Sequence, residues 1–131
     1  MRSVIKNRYN RKGLKTGLWE WYHDNGQLHW KCSYKNGLEE GVYEEYYEHG
    51  QLYSKYFYKN ALREGEWKSY HNNGEIYIKG FYVNDEKHGV WEYYFDNGQL
   101  QSTCSFHNGF KISEWEYYNR NGKRVLEQEI F

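Results

Sequence analysis

Apolar and polar residues alternate through Leu18-Trp19-Glu20-Trp21-Tyr22 and again through Leu28-His29-Trp30-Lys31-Cys32-Ser33-Tyr34, with Asp24-Asn25-Gly26 between the two runs. Alternation with period two is the signature of a half-buried strand, and an Asn-Gly dipeptide between two such runs predicts a hairpin. The pattern returns every 24 residues: Trp19, Tyr43, Trp67, Trp91 and Trp115 form one column, and Tyr22, Tyr46, Tyr70, Tyr94 and Tyr118 another. Two glycine series keep the same period, Gly17, Gly41, Gly65 and Gly89 with Ser113 on the next count, and Gly26, Gly50, Gly74, Gly98 and Gly122. A unit this small cannot bury its own apolar face and must stack on copies of itself. The expected fold is all-β: an elongated antiparallel meander of about five 24-residue β-hairpin repeats, about ten strands in a single twisted or curled sheet.

Register follows from the turn. A two-residue type I′ loop at Asn25-Gly26 sets Glu20 opposite Lys31, Trp21 opposite Trp30, Trp19 opposite Cys32 and Tyr22 opposite His29, and Glu44 opposite Lys55 in the next unit. One face, expected to be buried, then carries Trp19, Trp21, Leu28, Trp30 and Cys32 with their equivalents Tyr43, Leu52, Trp67, Ile76, Ile78, Trp91, Tyr93, Leu100, Cys104 and Trp115. The other carries the Tyr22 column, the column of Glu20, Glu44, Lys68, Glu92 and Glu116, and Tyr53, Phe57, Tyr77 and Phe81. A rival three-residue loop, with Gly26 in a left-handed bulge, would set Tyr22 beside Leu28 and exchange the faces of the first strands; Lys68 opposite Lys79 is the one pairing that disfavours the first register. A second turn at Asn36-Gly37, Asn60-Ala61, Asn84-Asp85 and Asn108-Gly109 returns the chain to the next unit.

The period leaves no room for a linker, so 1–131 reads as one repeat domain: a basic N-terminal half-repeat or cap at 1–16, full repeats at 17–40, 41–64, 65–88 and 89–112, and a partial C-terminal repeat or cap at 113–131. Val4 and, at the far end, Glu127 and Glu129 belong to the expected cap strands, whose charges discourage edge pairing. Leu, Ile, Val and Phe are only 24 of the 131 residues, while 16 Tyr and 6 Trp supply the apolar area, so aromatic packing must replace an aliphatic core. The zero net charge hides an asymmetry: 1–16 has six Lys or Arg and no acid, which leaves 17–131 with 18 acids against 12 bases, a net −6. Such a body is expected to repel nucleic acid and anionic lipid and to attract a basic protein. Cys32 and Cys104 occupy the same column three repeats apart, about 29 Å in a sheet of this kind, and are expected to be free thiols filling small core positions. Without a signal-like or spanning apolar run, the expectation is a soluble cytoplasmic protein with no stable membrane insertion.

The runs Gly17-Leu18-Trp19-Glu20-Trp21-Tyr22-His23-Asp24-Asn25-Gly26-Gln27-Leu28, followed by Tyr34-Lys35-Asn36-Gly37, and Gly89-Val90-Trp91-Glu92-Tyr93-Tyr94-Phe95-Asp96-Asn97-Gly98-Gln99-Leu100 resemble the MORN-type repeat, particularly its variant form. Bacterial proteins built of this repeat alone are grouped with antitoxin or immunity proteins of the YwqK type, and this chain is similar to them in size. The resemblance implies a protein without enzymatic activity or cofactor that neutralises a cognate toxin, expected to be basic, by covering it. It leaves the oligomeric state open.

For the binding surface the expectation falls on the tyrosine stripe, Tyr22, Tyr46, Tyr70, Tyr94 and Tyr118, with Tyr53 and Tyr77 beside it, because rigid amphipathic rings in register suit an interface. Glu92 joins them, since Thr103 offers it no opposite charge. The six histidines show no metal-ligand spacing, and no nucleophile elbow, phosphate loop or HExxH motif is present; the glycines are read as hairpin-turn residues. Two alternatives stand beside protein binding: contact with phospholipid, for which only Arg2 to Lys15 offers a basic cluster, and stacking of glycans on exposed rings.

Overall fold

The structure, a computed structural model, describes residues 6–126, and these form one open antiparallel sheet without helices. Arg2 and Val4 of the N-terminal cap, and Glu127 and Glu129 of the C-terminal one, lie outside the described residues. The strands are β1 (Arg8–Tyr9), β2 (Lys15–Tyr22), β3 (Leu28–Lys35), β4 (Leu38–Tyr46), β5 (Leu52–Lys59), β6 (Leu62–Arg63), β7 (Gly65–Tyr70), β8 (Ile76–Val83), β9 (Glu86–Lys87), β10 (Gly89–Tyr94), β11 (Leu100–His107), β12 (Phe110–Lys111), β13 (Glu116–Tyr118) and β14 (Arg124–Val125). They run as a meander in the order β1-β2-β3-β4-β5-β7-β8-β10-β11-β13-β14, with β6, β9 and β12 pairing to β5, β8 and β11 as the short opening pieces of β7, β10 and β13.

The two turn types are the reverse of the simplest reading. At Asn25-Gly26 the loop has three residues: Gly26 N–H donates to His23 O at 2.9 Å and His23 N–H to Gln27 O at 2.8 Å, and of Asn25 and Gly26 only Gly26 has positive φ, at 88°. Asn25 is favoured there for its side chain, which accepts from Gln27 N–H at 2.9 Å and donates to Glu48 O of the next repeat at 2.8 Å. Type I′ geometry belongs instead to the second turn, where both central residues have positive φ: Asn36 and Gly37, Asn60 and Ala61, Asn84 and Asp85, Asn108 and Gly109. Ala61, at φ 67°, carries a Cβ in a conformation that glycine adopts freely. Ala61→Gly is accordingly expected to raise the free energy of unfolding by about 0.5–1 kcal/mol, read as a higher urea midpoint at unchanged slope.

The three-residue loop alone would slip the register by one residue and turn the tryptophans outward. It does not, because a β-bulge follows immediately: Tyr22 pairs with Leu28 but Trp21 with Trp30, leaving His29 as the extra residue. Tyr53, Tyr77 and Gln101 are the extra residues in the next three hairpins. The pairs Glu20/Lys31, Trp21/Trp30 and Trp19/Cys32 therefore form as expected, while Tyr22 faces Leu28 and not His29. Leu28, Leu52, Ile76 and Leu100, as partners of Tyr22, Tyr46, Tyr70 and Tyr94, leave the expected tryptophan face and join the tyrosine face.

The first glycine series also departs from the turn reading. Gly17 and Gly41 lie inside β2 and β4. Between Tyr34/Glu39 and Cys32/Tyr43 the chain of β4 carries two more residues than β3, and Gly41, at φ 96°, supplies the positive φ this bulge needs.

The core is a one-sided aromatic ladder. Ring contacts run from Trp21 to Trp30 at 3.4 Å between centroids, then to Tyr43 at 5.5 Å, Tyr56 at 4.6 Å and Trp67 at 4.2 Å, and edge-on through Tyr82 at 5.6 Å to Trp91 at 5.0 Å. Cys32 and Cys104 are buried, free, and paired across the strands with Trp19 and Trp91, where a small side chain admits the indole. Buried hydrophobic residues are few, Trp19, Cys32, Tyr34, Tyr82, Trp91 and Cys104 among those described, as befits a single layer.

Candidate functional site: the tyrosine face of the sheet

Opposite the aromatic ladder, the second face is organised in three rows that cross the strands. Nearest the three-residue turns, Tyr22, Tyr46, Tyr70 and Tyr94 alternate with Leu28, Leu52, Ile76 and Leu100, and Tyr118 continues the row opposite Arg124. Next comes a charged row, in which strand pairing sets Glu20, Lys31, Glu44, Lys55, Lys68, Lys79, Glu92, Thr103 and Glu116 side by side. The third row includes the exposed apolar side chains Val42, Phe57, Phe81 and Val90, with Glu66 between the two phenylalanines.

The first two rows are tied together where the strand carries an acid two positions before the tyrosine, since a residue and the next but one share a face: Tyr22 donates to Glu20, Tyr46 to Glu44, and Tyr118 to Glu116 at 3.3 Å. The bond from Tyr22 holds the Glu20 carboxyl below the usual carboxylate range, aided by the Lys6 ammonium at 3.4 Å. Burial, and then the Glu44 bond, push the Tyr46 phenol up to about 12; Tyr94 is raised by burial and by Glu92. The acids of this row are thus largely engaged inside the protein. Glu92 has Thr103 on one side, as expected, and β8 sets Lys79 on the other.

Tyr53 and Tyr77 are not in the tyrosine row. As bulge residues they are re-aimed to the turn end of the sheet, where Tyr53 meets Tyr47 edge-on at 4.9 Å and Tyr77 meets His71 at 4.5 Å. The residues they meet belong to the column His23, Tyr47, His71 and Phe95, ring-bearing in four successive repeats before Asn119. Three of its members stitch successive repeats: His23 Nε2–H donates to Tyr46 O at 2.8 Å, Tyr47 Oη–H to Tyr70 O at 2.7 Å, and His71 Nε2–H to Tyr94 O at 2.8 Å. A shallow groove of about 410 Å³ lies among Tyr53, Tyr77, Phe95 and Arg120, and Arg120 closes one end by pairing with Asp96 at 2.7 Å and covering the Phe95 ring.

Chemically this is a surface of paired hydroxyls, carboxylates, ammonium groups and apolar side chains. The Cys32 thiol is pushed up to about 11 by its burial, which keeps it protonated and unreactive at neutral pH. Among the described residues no three His, Cys, Asp or Glu side chains gather as metal ligands, and no helix is long and apolar enough to cross a membrane.

No curated protein matches this chain. The family model described as MORN repeat variant matches it four times, at residues 15–36, 39–60, 63–84 and 87–108, each match ending on the Asn that opens a type I′ turn. Repeats of this kind are generally protein- or membrane-binding modules. With four consecutive copies of 22 residues covering 88 of 131 positions, each folded as the hairpin described above, the chain belongs to the MORN repeat variant family.

Proposed function

We propose that this chain is a non-catalytic protein-binding module, and that its partner is a toxin which it neutralises by steric occlusion. The observation that carries the binding reading is the tyrosine face itself: a continuous row of tyrosine and aliphatic side chains beside a charged row and exposed Val42, Phe57, Phe81 and Val90, with no second layer of the described chain over it. Scattered apolar residues on a surface need no explanation, but rows in register across four repeats form a contiguous patch of the kind that marks interaction sites. Rings already held by Glu20, Glu44 and Glu116 are ordered before the partner arrives, which lowers the entropic cost of docking. The toxin identity is supported by the resemblance to antitoxin and immunity proteins built from this repeat alone.

The test is capture of the partner on tagged full-length chain, followed by co-expression. A stoichiometric protein whose growth inhibition is relieved by this chain supports the reading, and a captured protein that is harmless without the chain removes the toxin from it. Replacing Tyr46, Tyr70 and Tyr94 together with Ser is expected to weaken that complex about a hundredfold or more while circular dichroism keeps its β-sheet form. Loss of the fold in that variant would return these rings to a structural role.

A further inference from the structure

The charged row alternates in sign, or is neutral, at both ends of the sheet: Glu20, Lys31, Glu44, Lys55 on one side and Lys79, Glu92, Thr103, Glu116 on the other. In the middle it does not. Lys55 faces Lys68 across β5 and β7, and Lys68 faces Lys79 across β7 and β8, three ammonium groups on adjacent strands. Like charges directly opposite destabilise a sheet. The repeat also has a better choice for this position, because the equivalent residues Glu20, Glu44, Glu92 and Glu116 are acids that accept a bond from, or interact with, the tyrosine two residues on. Lys68 cannot accept that bond from Tyr70 and instead leans toward Glu66 at 3.3 Å. The third repeat therefore gives up stability where its column mates gain it.

At the same place a groove of about 540 Å³ runs between Val42 and Phe57 on one side and Lys68 and Tyr70 on the other. Exposed Lys55 also lines it, and a neighbouring hollow that shares Glu66 is lined by Phe81, Val90, Glu92 and exposed Lys79. The two acids of the groove are both engaged within the protein: Glu66 is beside Lys68, and the Glu64 carboxylate accepts from Asn84 N–H at 2.7 Å.

From these observations we infer that the centre of the tyrosine face, Lys55, Lys68 and Lys79 beside Phe57 and Phe81, is the anchor site for an extended protein segment bearing carboxylates alternating with apolar side chains. Whatever the overall charge of the partner, the segment seated here is acidic. A β-segment matches the site because its side chains alternate in direction, so carboxylates and apolar groups can be laid along adjacent rows. The inference rests on the protein-binding reading and assigns the contact within it.

The experiment uses the full chain, wild type and Lys68→Glu, titrated with three synthetic peptides in which Val alternates with Glu, Val with Lys, and Ser with Glu, and with vesicles of neutral or phosphatidylserine-containing lipid. Expected is preference of wild type for the Val/Glu peptide over both others by about tenfold or more, and loss of that preference in Lys68→Glu. The variant's Tm is expected to rise by about 2–4 °C, because the substitution completes the charge alternation and gives Tyr70 its acceptor. Lys123→Glu, far from the groove in sequence and sheet, should leave the peptide preference unchanged. Equal binding of all peptides, or a Lys68→Glu variant that is less stable and binds as wild type, overturns the anchor assignment and leaves the capture experiment to judge protein binding. Tight, Lys68-dependent binding to the anionic vesicles with no peptide bound overturns both.

Discussion

Gly80→Ala is expected to destabilise the fold by about 3 kcal/mol or more, out of proportion to one added methyl group. A Cβ at position 80 would lie 2.2 to 2.5 Å from Cδ2, Cε2 and Cε3 of Trp91, distances no carbon pair tolerates. The indole has nowhere to retreat. It is 2% exposed, its Nε1–H donates to Phe81 O at 3.2 Å, Tyr82 meets it edge-on at 5.0 Å, and the Lys87 ammonium sits 4.7 Å above the ring. The φ of Gly80 is one that alanine adopts readily, so the loss would come from the collision and not from the backbone. The position has a logic in the row: Cys32 is the small residue opposite Trp19, and Gly80 and Cys104 are the small residues beside Trp91. Urea unfolding followed by circular dichroism gives the size of the effect, and Gly80→Ala combined with Trp91→Leu should recover part of it, since the methyl then fills space that the indole vacates. If Gly80→Ala alone is neutral, Trp91 does not lie flat on β8.

How far the sequence reaches can be seen at Asn25-Gly26 and Asn36-Gly37. The dipeptides are identical, yet the first closes a three-residue loop and the second a type I′ turn. The dipeptide does not separate the two, and neither does the spacing, which allows a two-residue loop with Tyr22 opposite His29 as well as the three-residue loop with Tyr22 opposite Leu28 that forms. The tryptophan register came out correctly even so, because the strong constraints of Trp19, Trp21 and the Glu20/Lys31 pair outvote the turn, and the chain absorbs the mismatch in a bulge at His29. That bulge is what the pattern of alternation conceals. It carries Leu28 and its equivalents to the tyrosine face and takes Tyr53 and Tyr77 out of the tyrosine row, to a groove at the turn end that they line together with Tyr94. Of the central lysines, the Lys68/Lys79 pair was visible within a hairpin. Lys55 joined them only through the pairing of β5 with β7, a register that the turn at Asn60-Ala61 does not fix, because the chain gains two residues in a bulge between Tyr58/Arg63 and Lys55/Lys68.

Alkali should unfold this protein well before it unfolds a fold with an aliphatic core. Its interior consists of weak acids that must stay neutral: burial lifts the Cys32 thiol from 9.0 to about 11, and the Tyr34 phenol from 10.0 to about 12. The Tyr46 phenol on the opposite face is raised to about 12 as well, while Tyr43 and Tyr56, stacked at 4.6 Å in the ladder, are pushed higher still, first by burial. For an acid whose folded pKa exceeds its unfolded value, the unfolded chain gives up the proton first as pH rises. The stabilisation these groups provide is therefore complete below about pH 9 and is lost as pH climbs through about 11 to 12. A two-unit elevation on the fully buried Cys32 corresponds to about 3 kcal/mol; Tyr34 is raised first by its own burial and then by Cys32, so the two contributions are coupled and do not simply add. Tm measured against pH should hold steady up to about pH 9 and then fall steeply, with tyrosinate absorbance and the loss of β-sheet circular dichroism appearing in one cooperative transition. Tyrosines that ionise gradually near pH 10 while the sheet signal persists would mean that the ladder is open to water. Cys32→Ala separates the contributions: it removes the earliest of these titrations, so the decline should start nearer pH 10 and proceed on the tyrosines alone.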